Sequence, residues 1–215
     1  HDLDGDGRPE VIVADRKGGV FMLEGEDGKR AWAARLEGES QGTVFGPTTL
    51  VDADGRGAPE IAVCGLHLHL LDAQGRLRWR NDNGLASIAR GAAAADIDGD
   101  GGQDLVFGQG RLLRAVRARD GRAIWTWDLS SSGDAAERID NGPLLEDLDG
   151  DGLLDVFVVI GKGTSGKDRA QNHGRALALK AGKGRASAGN SWVTFRGSPR
   201  RIGWRLENGA PRAGK

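Results

Sequence analysis

The chain contains 215 residues, with 30 Lys or Arg residues against 31 Asp or Glu residues and a formal net charge of −1. This balance gives no reason to expect a nucleic-acid partner, and no apolar run reaches the roughly 18 residues of a membrane-spanning helix. The single cysteine, Cys64, excludes an intrachain disulfide, and the chain is long enough to bury the core of one or two domains.

One acidic loop of nine residues recurs four times, each time directly before a short apolar strand. Its copies begin 50, 44 and 51 residues apart, at Asp2, Asp52, Asp96 and Asp147. A period of this size is typical of propellers and other repeat arrays. The pattern predicts one repeat domain over 1–206, with repeats at about 1–45, 46–90, 91–140 and 141–206, and a C-terminal tail at 207–215.

Two strands and a turn follow each acidic loop. The first strand, rich in β-branched residues, is predicted at 11–13, 61–63, 105–107 and 156–160. The second strand is predicted at 19–23, 66–71, 112–116 and 175–179. A hairpin turn should then occur at the glycines Gly28, Gly75, Gly121 and Gly182.

A third strand carries a tryptophan four residues past the turn glycine in three repeats, at Trp32, Trp79 and Trp125. Because the position recurs, the large ring is expected to fill space between neighbouring blades, with carbohydrate stacking as the alternative. A final strand precedes the next acidic loop, at 48–51, 92–95 and 143–145. Four strands in about 45 to 50 residues predict an all-β fold, a β-propeller of four-stranded antiparallel blades.

Two arrangements of the blades are compatible with the repeats. The first blade lacks the strand that should precede its acidic loop, and residues 192–206 could supply that strand and close a four-bladed ring. Alternatively, the four repeats belong to a larger propeller of about seven blades, or pair with another subunit.

The acidic loops predict calcium sites. Carboxylates at loop positions 1, 3, 5 and 9, together with the backbone carbonyl of position 7, form an oxygen cage that suits Ca²⁺. Position 12 lies inside a strand, which excludes an EF-hand. Three loops carry the full set, so about three Ca²⁺ ions are expected, held by Asp2, Asp4, Asp6, Arg8 and Glu10; by Asp96, Asp98, Asp100, Gly102 and Asp104; and by Asp147, Asp149, Asp151, Leu153 and Asp155.

The second loop, at 52–60, departs from this pattern because Arg56 replaces the acid at position 5. A guanidinium can bind two carboxylates at once, so Arg56 is predicted to take the place of the ion and leave this loop free of metal. Substituting Arg56→Asp should then create a further site. Calcium in such loops is expected to stiffen the surface rather than to meet a substrate.

The acidic loop, the β-branched strand and the segment Leu-x-x-x-x-Gly-[Lys/Arg]-x-x-Trp together resemble FG-GAP/VCBS repeats. Those repeats build the β-propellers of integrin α-chains and of many secreted bacterial proteins. The second half of each repeat, such as 71–79, is also similar to quinoprotein-type propeller repeats, although no quinone-binding set of residues is visible. Calcium loops fill most readily where Ca²⁺ is near millimolar, so the expected location is extracellular or periplasmic.

Other motifs do not indicate catalysis. The segment 161–168 resembles a phosphate-binding loop, but Asp168 stands where Ser or Thr should bind Mg²⁺, so a long hairpin loop is the better interpretation. His67 and His69 share one strand face without a third metal ligand and are expected to be packed or solvated. Cys64 lies in an apolar run and is expected to be a buried, inert thiol.

The sequence therefore predicts a secreted, calcium-stabilised β-propeller that acts as a binding, adhesion or scaffold module, with a protein or carbohydrate ligand. The longest irregular segments, 129–141 and 162–174, are the candidate binding loops. Two alternatives stay open. The repeats could be non-catalytic blades of an extracellular enzyme, such as a polysaccharide lyase or a quinoprotein relative, or a structural subunit of a multiprotein complex.

Overall fold

The computed structural model describes residues 1–39, 42–44, 46–82, 87–88, 90–131, 136–163, 170 and 172–186. These residues form an all-β structure of antiparallel sheets, as the sequence predicts. No helix within them is long and apolar enough to cross a membrane.

Each repeat forms one sheet, and the strands follow one another in chain order within the first three sheets. The first sheet contains β1 (Val11–Ala14), β2 (Gly19–Leu23) and β3 (Arg30–Arg35). The second contains β4 (Thr49–Val51), β5 (Glu60–Cys64), β6 (Leu68–Leu71) and β7 (Leu77–Asn81). The third contains β8 (Ala92–Ala95), β9 (Asp104–Gln109), β10 (Leu112–Arg117) and β11 (Ala123–Asp128).

The fourth sheet contains β12 (Arg138–Ile139), β13 (Leu144–Glu146), β14 (Leu153–Lys162) and β15 (His173–Arg185). Both short strands pair with β14, β13 at Phe157 and β12 at Ile160, so together they occupy the place that one strand takes in the other blades. The long strand β15 pairs with the other edge of β14. The sequence did not predict β12.

The predicted turn at Gly182 is wrong, because β15 continues through it to Arg185. The glycines in this stretch serve close packing instead of chain reversal. A Cβ atom at Gly182 would lie 2.3 Å from the carbonyl oxygen of Ile97, and the N–H of Gly184 donates to that same oxygen over 2.8 Å. The end of β15 therefore packs against the start of the third acidic loop.

An apolar core fills the space between each pair of successive sheets. The four sheets therefore stack in chain order. The core between the first two sheets contains Val20, Ile61 and Val63, and the next contains Leu70, Leu105 and Phe107. The third core joins the last two sheets through Val106, Val156 and Ile160. Side chains of β5, β6 and β9 are buried throughout, whereas the outer strands β3, β7 and β11 have no fully buried side chain.

Within the described part of the chain, nothing covers one face and one edge of the first sheet. Val11 and Val13 point to the same side of β1 and are 52% and 42% exposed. Among the described residues, β1 pairs with β2 alone. The strand that was predicted at 192–206 to close a four-bladed ring lies outside the described residues, so the number of blades stays a prediction.

Candidate metal centre

All three full acidic loops are folded by their own carboxylates. In the first loop, Asp2 accepts hydrogen bonds from the N–H groups of Gly5 and Gly7 over 2.7 and 2.9 Å. The aspartates at the same position of the third and fourth loops accept the equivalent pair. Gly5 and Gly7 have φ angles of 85° and 88°, a left-handed conformation that glycine adopts without strain. These contacts turn the loop acids toward one another.

The buried acid at position 9 closes each loop. It is the last residue of the loop, and its carboxylate accepts a hydrogen bond from the backbone N–H of position 2. These pairs are Glu10 with Leu3, Asp104 with Ile97 and Asp155 with Leu148. Because these acids are almost fully buried, each needs either a hydrogen-bond donor or a cation for both of its oxygens.

The structure brings most of the predicted ligands together. In three loops, several acids each place one carboxylate oxygen within 4.8 Å of the corresponding oxygens of the others. The groups are Asp2, Asp4, Asp6 and Glu10; Asp96, Asp98 and Asp104; and Asp147, Asp149 and Asp155. The predicted ligands Asp100 and Asp151 are not in these groups. Arg8, Gly102 and Leu153 donate their backbone N–H groups to the carboxylate at position 5, and a role for their carbonyl groups stays a prediction.

In the fourth loop a lysine occupies the centre of the acidic group. The Nζ atom of Lys180 lies 2.8 Å from Asp149, 2.6 Å from Asp151 and 3.2 Å from Asp155. Hydrogen bonds to Asp149 and Asp151 raise the pKa of Lys180, so the ammonium group stays charged at neutral pH. Lys180 stands directly opposite Asp155 in the pairing of β14 with β15. This loop therefore carries its own cation.

The third loop is neutralised by two arginines. Arg117 Nε lies 2.9 Å from Asp98, and Arg119 Nη1 lies 3.2 Å from Asp100. Arg117 is the cross-strand partner of Asp104, as Lys180 is of Asp155. Burial, with Asp98 and Asp100 nearby, raises the pKa of Asp104 to about 7.

The second loop, which lacks one acid, also has basic neighbours. Arg78 forms an ion pair with Glu60, whose pKa is raised by burial. The side chain of Arg56 is 84% exposed, and its Nε atom lies 3.6 Å from Asp54, while its backbone N–H donates to Asp52. Within the described residues its guanidinium is paired with one carboxylate rather than the two that the sequence suggested. The metal-free state of this loop stays a prediction.

The first loop differs from the others in the charge that surrounds it. Pairing of Val11 with Leu23 places Glu24, another acid, across from Glu10. Burial and the charges of Asp4, Glu10 and Asp6 raise the pKa of Glu24. Within the described residues no basic side chain contacts the acids of this loop, since Arg8 pairs instead with Glu26. The Oε1 atom of Glu10 is buried and has no hydrogen-bond partner.

Each recurring tryptophan binds the following blade. The indole Nε1–H of Trp32 donates to the carbonyl of Ala73 over 3.0 Å, and Trp79 and Trp125 donate in the same way to Ala118 and Ala181. The ring of Trp79 also covers Gly121, where a Cβ atom would lie 3.1 Å from it. This geometry confirms packing between blades, rather than an exposed carbohydrate platform, as the role of these rings.

The histidine pair and Cys64 have structural surroundings, as expected. His69 is fully buried and contacts the carbonyl of Glu37 over 3.1 Å, and burial lowers the pKa of His69. The Nδ1 atom of His67 lies 3.1 Å from the exposed Asp82. Burial raises the pKa of the Cys64 thiol to about 12, which keeps it protonated and inert.

Two buried glutamates were missed by the sequence analysis. Glu39 accepts hydrogen bonds from the backbone N–H groups of Leu66 and His67 and so braces the β5–β6 hairpin of the next blade. Glu137 contacts Ser131, His173 and Arg175. Both glutamates follow an outer strand, and that position is the signal by which they could have been found.

The candidate binding loops are described only in part, and their role in binding stays a prediction. The segment 129–141 contains β12 and the buried Glu137, and 132–135 lie outside the described residues. The segment 162–174 begins in β14 and ends in β15, and 164–169 and 171, most of the segment that resembles a phosphate-binding loop, also lie outside them.

Comparison with known proteins gives a family. The family model described as outer membrane protein assembly factor BamB matches residues 4–211. BamB from Moraxella catarrhalis is similar in structure, with 16% identity and a TM-score of 0.52, over 73% of this chain and 46% of that one. BBS1N, solved in complex with ARL6DN, is 13% identical with a TM-score of 0.53, over 84% of this chain and 55% of that one. No curated protein matches the chain.

The chain thus spans about half the length of these two solved structures, and the likenesses show the propeller fold. The resemblance to FG-GAP/VCBS repeats is wrong, because the matching family model is that of BamB. Nine-residue acidic loops carried that resemblance, whereas the family model extends over nearly the whole chain. Acidic residues at fixed spacing report how one loop folds and do not identify the blade that carries it.

Proposed function

The chain belongs to the family of the outer membrane protein assembly factor BamB, and from this we propose that it is a non-catalytic scaffold in a protein complex that assembles outer membrane proteins. The match over residues 4–211 is the observation that carries the proposal. A periplasmic location follows from that role, since the periplasm is the aqueous side from which such a complex receives its clients.

The use of buried polar groups supports a structural role. Glu39 binds backbone N–H groups of the next blade, and each tryptophan indole donates to a backbone carbonyl of the following repeat. The acidic loops are folded by their own backbone donors. Buried groups that are committed to the fold in this way are poorly suited to proton transfer or nucleophilic attack.

The open face of the first sheet supports a protein contact. Val11 and Val13 are exposed, and the strand pairing sets Leu23 and Phe21 beside them on the same face. Blade faces of a propeller normally pack against further protein, and a contiguous apolar patch of this kind marks an interaction surface. We propose that this face is covered by protein when the scaffold is assembled.

Deletion of the gene in the bacterium that encodes it tests the function. We expect lower levels of outer membrane β-barrel proteins, restored by the wild-type gene and by Leu77→Arg, a control on exposed β7. Val13→Arg should keep the fold, as a thermal melt will check, and should fail to restore those levels. Unchanged levels after deletion would refute the proposed function, whereas full rescue by Val13→Arg would refute only the proposed face.

A further inference from the structure

We infer that the first acidic loop is the principal divalent-cation site of this chain, and that it binds Ca²⁺ much more tightly than the third or fourth loop. The ligands are carboxylate oxygens of Asp2, Asp4, Asp6 and Glu10, which lie within 4.8 Å of one another. The inference is independent of the proposed scaffold function, because it depends only on the contacts of the loops.

Glu10 supplies the first line of evidence. Its side chain is 5% exposed, and one oxygen accepts the N–H of Leu3. The other oxygen, Oε1, is buried without a hydrogen-bond partner. An unpaired buried carboxylate oxygen is costly, and a cation in the adjoining acidic group would satisfy it.

The neighbouring charges supply the second line. In the fourth loop the ammonium group of Lys180 contacts three carboxylates, and in the third loop Arg117 and Arg119 each contact one. An incoming ion would have to displace these basic groups, which lowers its net gain. Among the described residues, the acids of the first loop have no such partner. A cation from solution would therefore relieve the mutual repulsion of these acids.

The residue opposite the ninth position of the first, third and fourth loops explains this difference. Arg117 faces Asp104 across β10 and β9, and Lys180 faces Asp155 across β15 and β14. In the first blade that position holds Glu24, which adds a fifth negative charge near the site.

The chemistry of the donors selects the ion. All the candidate ligands are hard oxygens on one short loop, without nitrogen or sulfur donors. Such a set suits Ca²⁺, which takes six to eight oxygens in adaptable geometry, better than Mg²⁺, which demands a near-ideal octahedron and gives up water reluctantly. Water molecules and the carbonyl of Arg8 could complete the shell.

Titration of the full chain with CaCl₂ by calorimetry tests the inference. We expect one site at least tenfold tighter than any other. Glu10→Gln should weaken that site by more than tenfold, while Asp155→Asn, the same loop position in the fourth blade, should leave it unchanged. Circular dichroism of both variants will check that they fold.

If Glu10→Gln unfolds the chain, Asp4→Asn replaces it, because Asp4 lies on the loop surface and its loss removes a ligand without removing the Leu3 contact. Three sites of equal affinity, no measurable binding, or a tight site that survives both first-loop substitutions would each overturn the inference. Loss of the tight site in Asp155→Asn would also overturn it, by assigning the ion to the fourth loop.

Discussion

The first and fourth acidic loops have the same carboxylate spacing and the same hydrogen bonds to their glycines, but they face opposite charges. Across from Glu10 stands Glu24, whereas Lys180 stands across from Asp155 and contacts three acids of its loop. The nine-residue motif thus sets the shape of both loops, while a residue on the neighbouring strand gives the fourth loop a cation that the first loop lacks among the described residues.

We expect the blades to hold together without metal, mainly through the tryptophans that pack between them. Substitution of one of these tryptophans should therefore have the largest effect on the free energy of unfolding. Trp79→Ala removes a ring packed on Gly121 and a hydrogen bond to Ala118, so we expect the free energy of unfolding to fall by about 3 kcal/mol. Trp79→Phe keeps an apolar ring and should cost about 1 kcal/mol.

Urea denaturation measures both values, with and without a calcium chelator. Chelation should lower the free energy of unfolding by less than Trp79→Ala does. A larger effect of chelation would mean that the ion, rather than the indole contacts, holds the blades together.

The residue opposite Glu10 can be exchanged for the one that stands opposite Asp155. Glu24→Lys gives the first loop the arrangement of the fourth. Repulsion between the new ammonium group and Ca²⁺ should weaken Ca²⁺ binding by about 100-fold. Glu26→Lys is the matched control, because it makes the same change of charge on the exposed turn, where Glu26 pairs with Arg8. Calorimetry that finds equal losses in the two variants would show that net charge, and not position, controls the site.

The reverse substitution in the fourth loop should have a smaller effect on Ca²⁺ affinity. Lys180→Gln removes the resident cation from the fourth loop, so the affinity of that loop for Ca²⁺ should rise by about tenfold. Lys183→Gln on the same strand serves as the control, since Lys183 is exposed. An unchanged titration in Lys180→Gln would contradict the view that the lysine competes with the ion.

Glu137 is a buried carboxylate whose contacts are with Ser131, His173 and Arg175. Its substitution should have the smallest effect on stability. The backbone N–H of Ser131 is the main cause that lowers the pKa of Glu137 from 4.5 to about 2, and His173 and Arg175 add to it. Its contribution to stability is therefore full above pH 4.5 and is lost as pH falls from 4.5 toward 2.

Thermal melts between about pH 5 and about pH 2 span that range. The melting temperature of Glu137→Gln should fall less with pH than that of the wild type. The exposed Glu146→Gln is the control. If Glu137→Gln and the wild type lose stability in parallel, the buried contacts of Glu137 do not contribute to acid sensitivity.

Much of the fold could be predicted, because alternating apolar residues and turn glycines are local signals. The strands β2 and β8 occur where the sequence indicates them, and the three tryptophans pack between blades as expected. The turn at Gly182 was wrong because a glycine that permits close packing looks the same in sequence as one that permits a turn.

The charge balance of the acidic loops was harder to predict, because it depends on strand register. Lys180 and Asp155 are 25 residues apart in sequence, and the pairing of β14 with β15 brings them together. Arg56 was predicted to pair with the acids of the second loop because it lies inside that loop. In the structure, Arg78 on β7 is the basic residue paired with the buried Glu60. The residues that follow the four predicted second strands, Glu24, Asp72, Arg117 and Lys180, are the sequence signal for these charges.

The indole hydrogen bonds all run forward along the chain, from Trp32 to Ala73, from Trp79 to Ala118 and from Trp125 to Ala181. The stack of blades therefore has a polarity, in which each repeat donates to its successor and accepts from its predecessor. Such an array behaves as a one-dimensional zipper with nearest-neighbour coupling. Under mechanical load from the C-terminal end, the described blades should come apart one at a time, each rupture opening a single indole contact and leaving those behind it closed.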